Sequence, residues 1–100
     1  MSLYVILRRS GWRSPAELQE AAGRSKRVAD EQMPDDIRWI RSYVLDEGAG
    51  PVGTVCVYEA TDPEAIRRHG KLADLPVDEI IPVADTVVVR PDPAPAPAAV

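Results

Sequence analysis

The amino-acid sequence predicts an α+β fold in which two helices cover one face of an antiparallel sheet. Three observations lead there: short runs rich in β-branched and aromatic residues, two capped helix starts, and the order strand, helix, strand, strand, helix, strand. A chain of 100 residues has room for one small domain, here residues 1–90. Hydrophobic residues make up 45% of it, but Phe is absent and the aromatics are Tyr4, Trp12, Trp39, Tyr43 and Tyr58, so the core must be mostly aliphatic.

Residues 3–8 form an apolar, β-branched run that stops at Arg8-Arg9-Ser10-Gly11 and reads as a buried first strand. Ser14-Pro15-Ala16-Glu17 is a capping box, with Pro15 placed where its missing N–H costs nothing. The helix it opens carries Leu18, Ala22, Ser25, Ala29 and Met33 on one stripe until Pro34, and the small residues in that stripe predict a close approach to the sheet. Ile37 to Leu45 reads as the second strand. Its alternation puts Trp39, Arg41 and Tyr43 on one face and Ile40, Ser42 and Val44 on the other.

Residues 46–53 carry turn formers throughout and predict a long hairpin loop, after which Thr54 to Ala60 is the third strand. Thr61-Asp62-Pro63-Glu64 starts a second helix with Ile66, His69 and Ala73 on one face, and Leu75-Pro76 stops it. Ile80 to Val89 supplies a last strand, with Pro82 tolerated at an edge or a bulge. Residues 91–100 alternate Pro with Ala and read as an extended tail outside the fold.

This order is the split βαβ arrangement, a ferredoxin-like βαββαβ sandwich whose right-handed crossovers place both helices on one face. The other face is left bare. A second copy is expected to cover it, making a homodimer.

Composition removes several function classes. Sixteen acidic against 12 basic residues give a net charge of -4, and the basic residues are scattered, so no nucleic acid is expected as a partner. The N-terminal run has neither a charged leader nor a small-residue cleavage site, and no stretch approaches a membrane span, which predicts a soluble, cytoplasmic chain without membrane contact. One cysteine cannot build a disulfide framework. No phosphate loop, dinucleotide fingerprint, nucleophile elbow or zinc-protease helix occurs, so no catalytic residue is assigned and binding is favoured over catalysis.

The constellation that could carry chemistry is Trp39-Ile40-Arg41-Ser42-Tyr43, Cys56-Val57-Tyr58-Glu59-Ala60 and His69. With the helix start Thr61-Asp62-Pro63-Glu64-Ala65-Ile66-Arg67-Arg68-His69 and Leu75-Pro76, the sequence over roughly residues 3 to 90 resembles the DUF4242 family, some of whose members are described as nickel-binding or nickel-responsive. The resemblance implies a ferredoxin-like homodimer that binds nickel or another divalent transition metal. A thiolate with an imidazole suits such ions, and carboxylate and phenol can complete a shell, which makes His69, Cys56, Tyr58 and Glu59 the candidate ligands. Gly70 stands where family members often carry Ala, which would loosen the helix around His69, and the hairpin loop is longer than theirs.

Structural readings of the same residues stand beside this one. Cys56 in an apolar strand is ordinary core. His69 could donate to a strand carbonyl or to Tyr58 as readily as bind metal, and Trp39, Tyr43 and Tyr58 could serve packing and the dimer face. Arg8-Arg9 and Arg67-Arg68 read as solvated charges, with the anchoring of an anionic ligand as the lesser alternative. A second function class is a small-molecule binder or cofactor-free enzyme, with a pocket between helices and sheet drawing on Trp39, Tyr43, Tyr4 and Tyr58 and on His69 as its polar group.

Overall fold

The structure, a computed structural model, describes residues 1–94. Its elements follow the expected order: β1 (Ser2–Trp12), α1 (Pro15–Arg27), β2 (Ile37–Asp46), β3 (Val52–Ala60), α2 (Pro63–Ala73) and β4 (Glu79–Pro82). A π-helical turn, Val28–Gln32, continues α1 and ends in a Met33 N–H bond to the Val28 carbonyl at 3.0 Å. The sheet runs β2-β3-β1-β4 with every neighbouring pair antiparallel, which is the α+β, ferredoxin-like arrangement.

Both helix starts form as the sequence dictates. The Ser14 hydroxyl accepts from the Glu17 amide at 3.3 Å, and Asp62 accepts from the Ala65 amide at 2.8 Å. Asp74, in the left-handed region with φ 55°, closes α2. Gly70 does not loosen that helix. It is buried, and a Cβ there would stand 3.1 Å from Val77 Cγ2, so its missing side chain lets the chain after α2 pack close.

Alternation along β1 buries Tyr4, Ile6 and Arg8 toward the helices and leaves Leu3, Val5 and Leu7 half-buried on the outer face. Their cross-strand partners divide the same way: Thr54, Cys56 and Tyr58 face the helices, while Val55 and Val57 face out. The layer between sheet and helices holds two clusters. A large one gathers Tyr4, Ile6, Val28, Ala29, Met33, Ile37, Cys56, Tyr58, Ala60, Ala65, Ile66 and Ala73. A small one holds Trp12, Ala21 and Val52, with Leu18 and Leu75 packed on it.

Four expectations are corrected. First, β4 ends at Pro82 rather than running to Val89: it pairs only with Tyr4 to Leu7 at the sheet edge, and Val87, Val88 and Val89 stand 86%, 75% and 81% exposed. The ladder runs out because β1 itself begins at Ser2, and Pro82 has no N–H to give. Second, Trp39 does not share a face with Arg41 and Tyr43. A bulge at Ile40 sets Trp39 opposite Tyr58 but Arg41 opposite Val57, so Trp39, Ser42 and Val44 face the helices. Third, Arg8 is not solvated. It is 1% exposed, although Arg9, Arg67 and Arg68 do lie at the surface. Fourth, the small residues of α1 bring that helix close to the sheet only in part: Ser25 reaches Tyr58 and Ala21 packs with Trp12 and Val52, yet a cavity remains beside them, lined by Ala22 as well.

The strands of the hairpin also reach further than expected, to Asp46 and from Val52, which shortens the loop between them. Most of the Pro/Ala tail expected over 91–100 lies outside the described residues. Among those that are described, Asp92 accepts from the Tyr43 hydroxyl at 2.7 Å and pairs with Arg41 at 2.9 Å. Among the described residues no helix is long and apolar enough to cross a membrane.

Candidate functional site

Two neighbouring arrangements on the helix-facing side of the sheet carry the chemistry. The first centres on His69. Helix α2 turns the imidazole inward until it is 0% exposed, edge-on to Tyr58 with ring centroids 5.4 Å apart. Nε2 lies 3.0 Å from the Ser25 carbonyl and so carries the proton, while Nδ1 keeps a free lone pair without a partner. The Ser25 hydroxyl is 3.1 Å from the Tyr58 hydroxyl and 3.4 Å from Nε2, tying α1, β3 and α2 together. Burial holds the imidazole below its ordinary pKa and thus neutral, and nearby Arg8 acts in the same direction against the Ser25 hydrogen bond. Burial likewise raises the Tyr58 phenol above its usual value, opposed by Arg8.

The second arrangement centres on Arg8. Its Nη1 donates to Cys56 Sγ at 3.2 Å, and the thiol in turn donates to Thr54 Oγ1 at 3.4 Å. The guanidinium carbon sits 5.8 Å from the centre of the Tyr58 ring, a cation–π approach. Among the described residues Nε and Nη2 have no hydrogen-bond partner. Arg8 forms one wall of a cavity of about 460 Å³ between α1 and the sheet, which Trp12, Trp39, Leu18, Ala22 and Leu75 help to line.

Both tryptophans reach this cavity by breaks in the strand ladder. Two extra residues stand between Arg8, opposite Thr54, and Trp12, opposite Val52, with Ser10 at φ 46°. Gly53 faces that bulge: a Cβ there would come 2.4 Å from the Arg8 carbonyl oxygen. The Ile40 bulge delivers Trp39, whose indole N–H donates to the Ser42 hydroxyl at 2.7 Å and whose ring lies 6.3 Å from that of Tyr58.

The residues singled out from sequence therefore separate. Cys56, Tyr58, His69 and Trp39 share the helix-facing side. Tyr4 is buried in the large cluster. Glu59 lies on the outer face, half-buried and 4.0 Å from Arg38, and Tyr43 is exposed on that face beside Asp92. Trp12, Ser25 and Thr54 were not among the candidates, and Arg8 was weighed only as a solvated charge or, less favoured, an anion anchor, though it is in phase with Tyr4 and Ile6 and alternation alone places it inward.

His69 has the form a metal-bound imidazole takes, with one N–H given to a backbone carbonyl and the other nitrogen bare. The rest of a metal centre does not assemble around it. Among the described residues no three His, Cys, Asp or Glu side chains come together, the Cys56 sulfur is held against a cationic guanidinium, and Glu59 is across the sheet. A closed metal cage within one chain does not fit these residues.

Residues 4–83 match a protein family described as nickel responsive protein SCO4226-like. Among solved structures, the fold is similar to the crystal structure of SCO4226 from Streptomyces coelicolor A3(2), with a TM-score of 0.69. That similarity covers 86% of this chain and 100% of the other at 18% identity. No curated protein sequence matches.

Proposed function

Because the chain belongs to the SCO4226-like family of nickel responsive proteins, we propose that it is a small homodimeric domain of nickel response. Nickel, or a related divalent transition metal, is the ion it answers to. Family membership carries this reading, and the outer sheet face supports its dimeric part. There Leu3, Val5, Leu7, Val55 and Val57 stay only half-buried, with Ile81 beside them 37% exposed, an apolar surface of the kind a second copy covers.

The arrangement of donors bears on how an ion is held. A single histidine with one bare nitrogen gives each chain one strong neutral ligand. The ion is then bound weakly and exchangeably, because the imidazole is buried on the helix-facing side, away from the sheet face a second copy would cover, as suits a sensor of changing supply better than a structural metal. Calorimetric titration of untagged protein with nickel, paired with its mass in solution, tests both halves. A dimer that becomes monomeric in Val57→Lys, and nickel binding that weakens in His69→Gln, are the expected results. A wild-type chain that stays monomeric removes the dimer, and nickel affinity unchanged by His69→Gln removes this ligand.

A further inference from the structure

We propose that the cavity between α1 and the sheet binds a small organic carboxylate, its charged end gripped by Arg8 and its apolar body held between Trp12 and Trp39. This does not depend on the nickel reading, since it uses different groups and another ligand.

The buried guanidinium is the starting point. A positive charge removed from water is costly unless a counter-charge and hydrogen bonds replace the water it lost. Arg8 is 1% exposed and makes no ion pair among the described residues. Among the described residues no Asp or Glu lines the cavity, and its other cation, Arg41, already has Asp92 at 2.9 Å. The counter-charge therefore has to come from a ligand.

The free atoms specify which anion. Nη1 is taken up by Cys56, whose thiol is fixed by Thr54, so the guanidinium is held in one orientation. Nε and Nη2, left over, lie on one edge of the planar group and offer two parallel N–H donors. That spacing matches the two oxygens of a carboxylate. One free cation balances a monoanion, while a phosphate dianion would leave charge unmatched between largely apolar walls.

The walls specify the remainder of the ligand. About 460 Å³ lies within the range of small-molecule sites, and Trp12, Trp39, Leu18, Ala22 and Leu75 present apolar surface to it. Bulges that re-aim side chains gather beside functional sites, and here two of them deliver the two tryptophans. A flat or branched hydrocarbon body fits such walls. A divalent cation does not, because it would meet the guanidinium's charge.

Trp12 and Trp39 are the chain's two tryptophans, so their fluorescence reports directly on the cavity. The probes are the acids phenylacetate, benzoate and decanoate, the uncharged phenylacetate isostere phenylacetamide, and inorganic phosphate. Phenylacetate is expected to change the emission saturably, the amide to bind at least about tenfold more weakly, and phosphate to leave it unchanged. Arg8→Met keeps the volume while removing the charge. It should cost phenylacetate at least about tenfold in affinity, leave the amide where it was, and hold or raise the melting temperature, because a lone buried charge has gone. Equal binding of acid and amide overturns the proposal, as does phenylacetate affinity indifferent to Arg8→Met. So does the absence of binding by phenylacetate, benzoate and decanoate alike, together with a lowered melting temperature in Arg8→Met, which would make Arg8 a structural residue only.

Discussion

The layer between sheet and helices is filled under α2 and hollow under α1. Under α2, Ile66, Ala65, His69 and Ala73 pack into the large cluster with Ile6, Tyr58 and Ile37, and none of the four exceeds 1% exposure. Under α1, Ala21 packs with Trp12 and Val52 and Ser25 bonds to Tyr58, but these small side chains leave a gap beside them that is walled by tryptophans and a buried guanidinium. The same fold position on two helices thus does two jobs. One half supplies burial, and with it most of the stability; the other keeps an unfilled volume that costs stability and is open to a ligand.

Substitutions in the two halves should diverge. The largest effect belongs to Ile66→Ala, expected to lose about 2–5 kcal/mol in urea unfolding, since the cavity it leaves has no room to collapse. Adding volume separates the halves more sharply. Ala65→Leu, in the filled half, should lose about 1–3 kcal/mol. Ala22→Leu, in the hollow half, should be neutral or gain up to about 1 kcal/mol, while closing the cavity to the probe acids. Equal losses from the two leucines would break the comparison.

A smaller effect comes from His69. The unfolded chain takes up a proton near the ordinary histidine value of 6.5, whereas burial holds the folded imidazole below it. Stability is therefore whole above that pH and declines as pH falls through 6.5 toward the lower folded value. In His69→Gln this decline should flatten in pH-dependent denaturation. The smallest effect is at the surface of α2. Arg68 and Asp36, both solvent-exposed side chains 2.9 Å apart, should contribute under about 1 kcal/mol, so Arg68→Ala should barely move the urea midpoint.

Much of the fold was legible because local signals agreed with it. Ser14 and Asp62 cap where expected, Pro34 and Leu75-Pro76 stand beyond the ends of their helices, and the order of runs allowed one topology. The inward turn of His69 followed from helical spacing with Ile66 and Ala73. The resemblance carried by Trp39 to Tyr43 and Cys56 to Ala60 pointed to nickel response, and the family match agrees on that association.

What escaped was local geometry that composition does not encode. A bulge adds a residue without altering the character of its strand, so nothing in Trp39-Ile40-Arg41 announced that Trp39 would turn toward the helices. Arg8 was hidden by Arg9. The pair looks like a solvated strand end, yet the strand runs on to Trp12 and keeps Arg8 in its inward phase. The alanines of α1 show a further limit: small residues allow either close packing or a void, and only the neighbours across the gap decide which. Val87-Val88-Val89 has strand composition but no strand left to pair with.

The clasp of Asp92 on Tyr43 and Arg41 carries a consequence for assembly. β4 and β2 form opposite edges of the sheet, so residues 83–92 travel from one rim to the other before Asp92 fastens. A second copy arriving on the outer face has to contend with this strap. Its fastening is in part an exposed ionic contact, which added salt weakens. Self-association of this chain should then tighten as salt is added, the reverse of what a charge-driven interface would do.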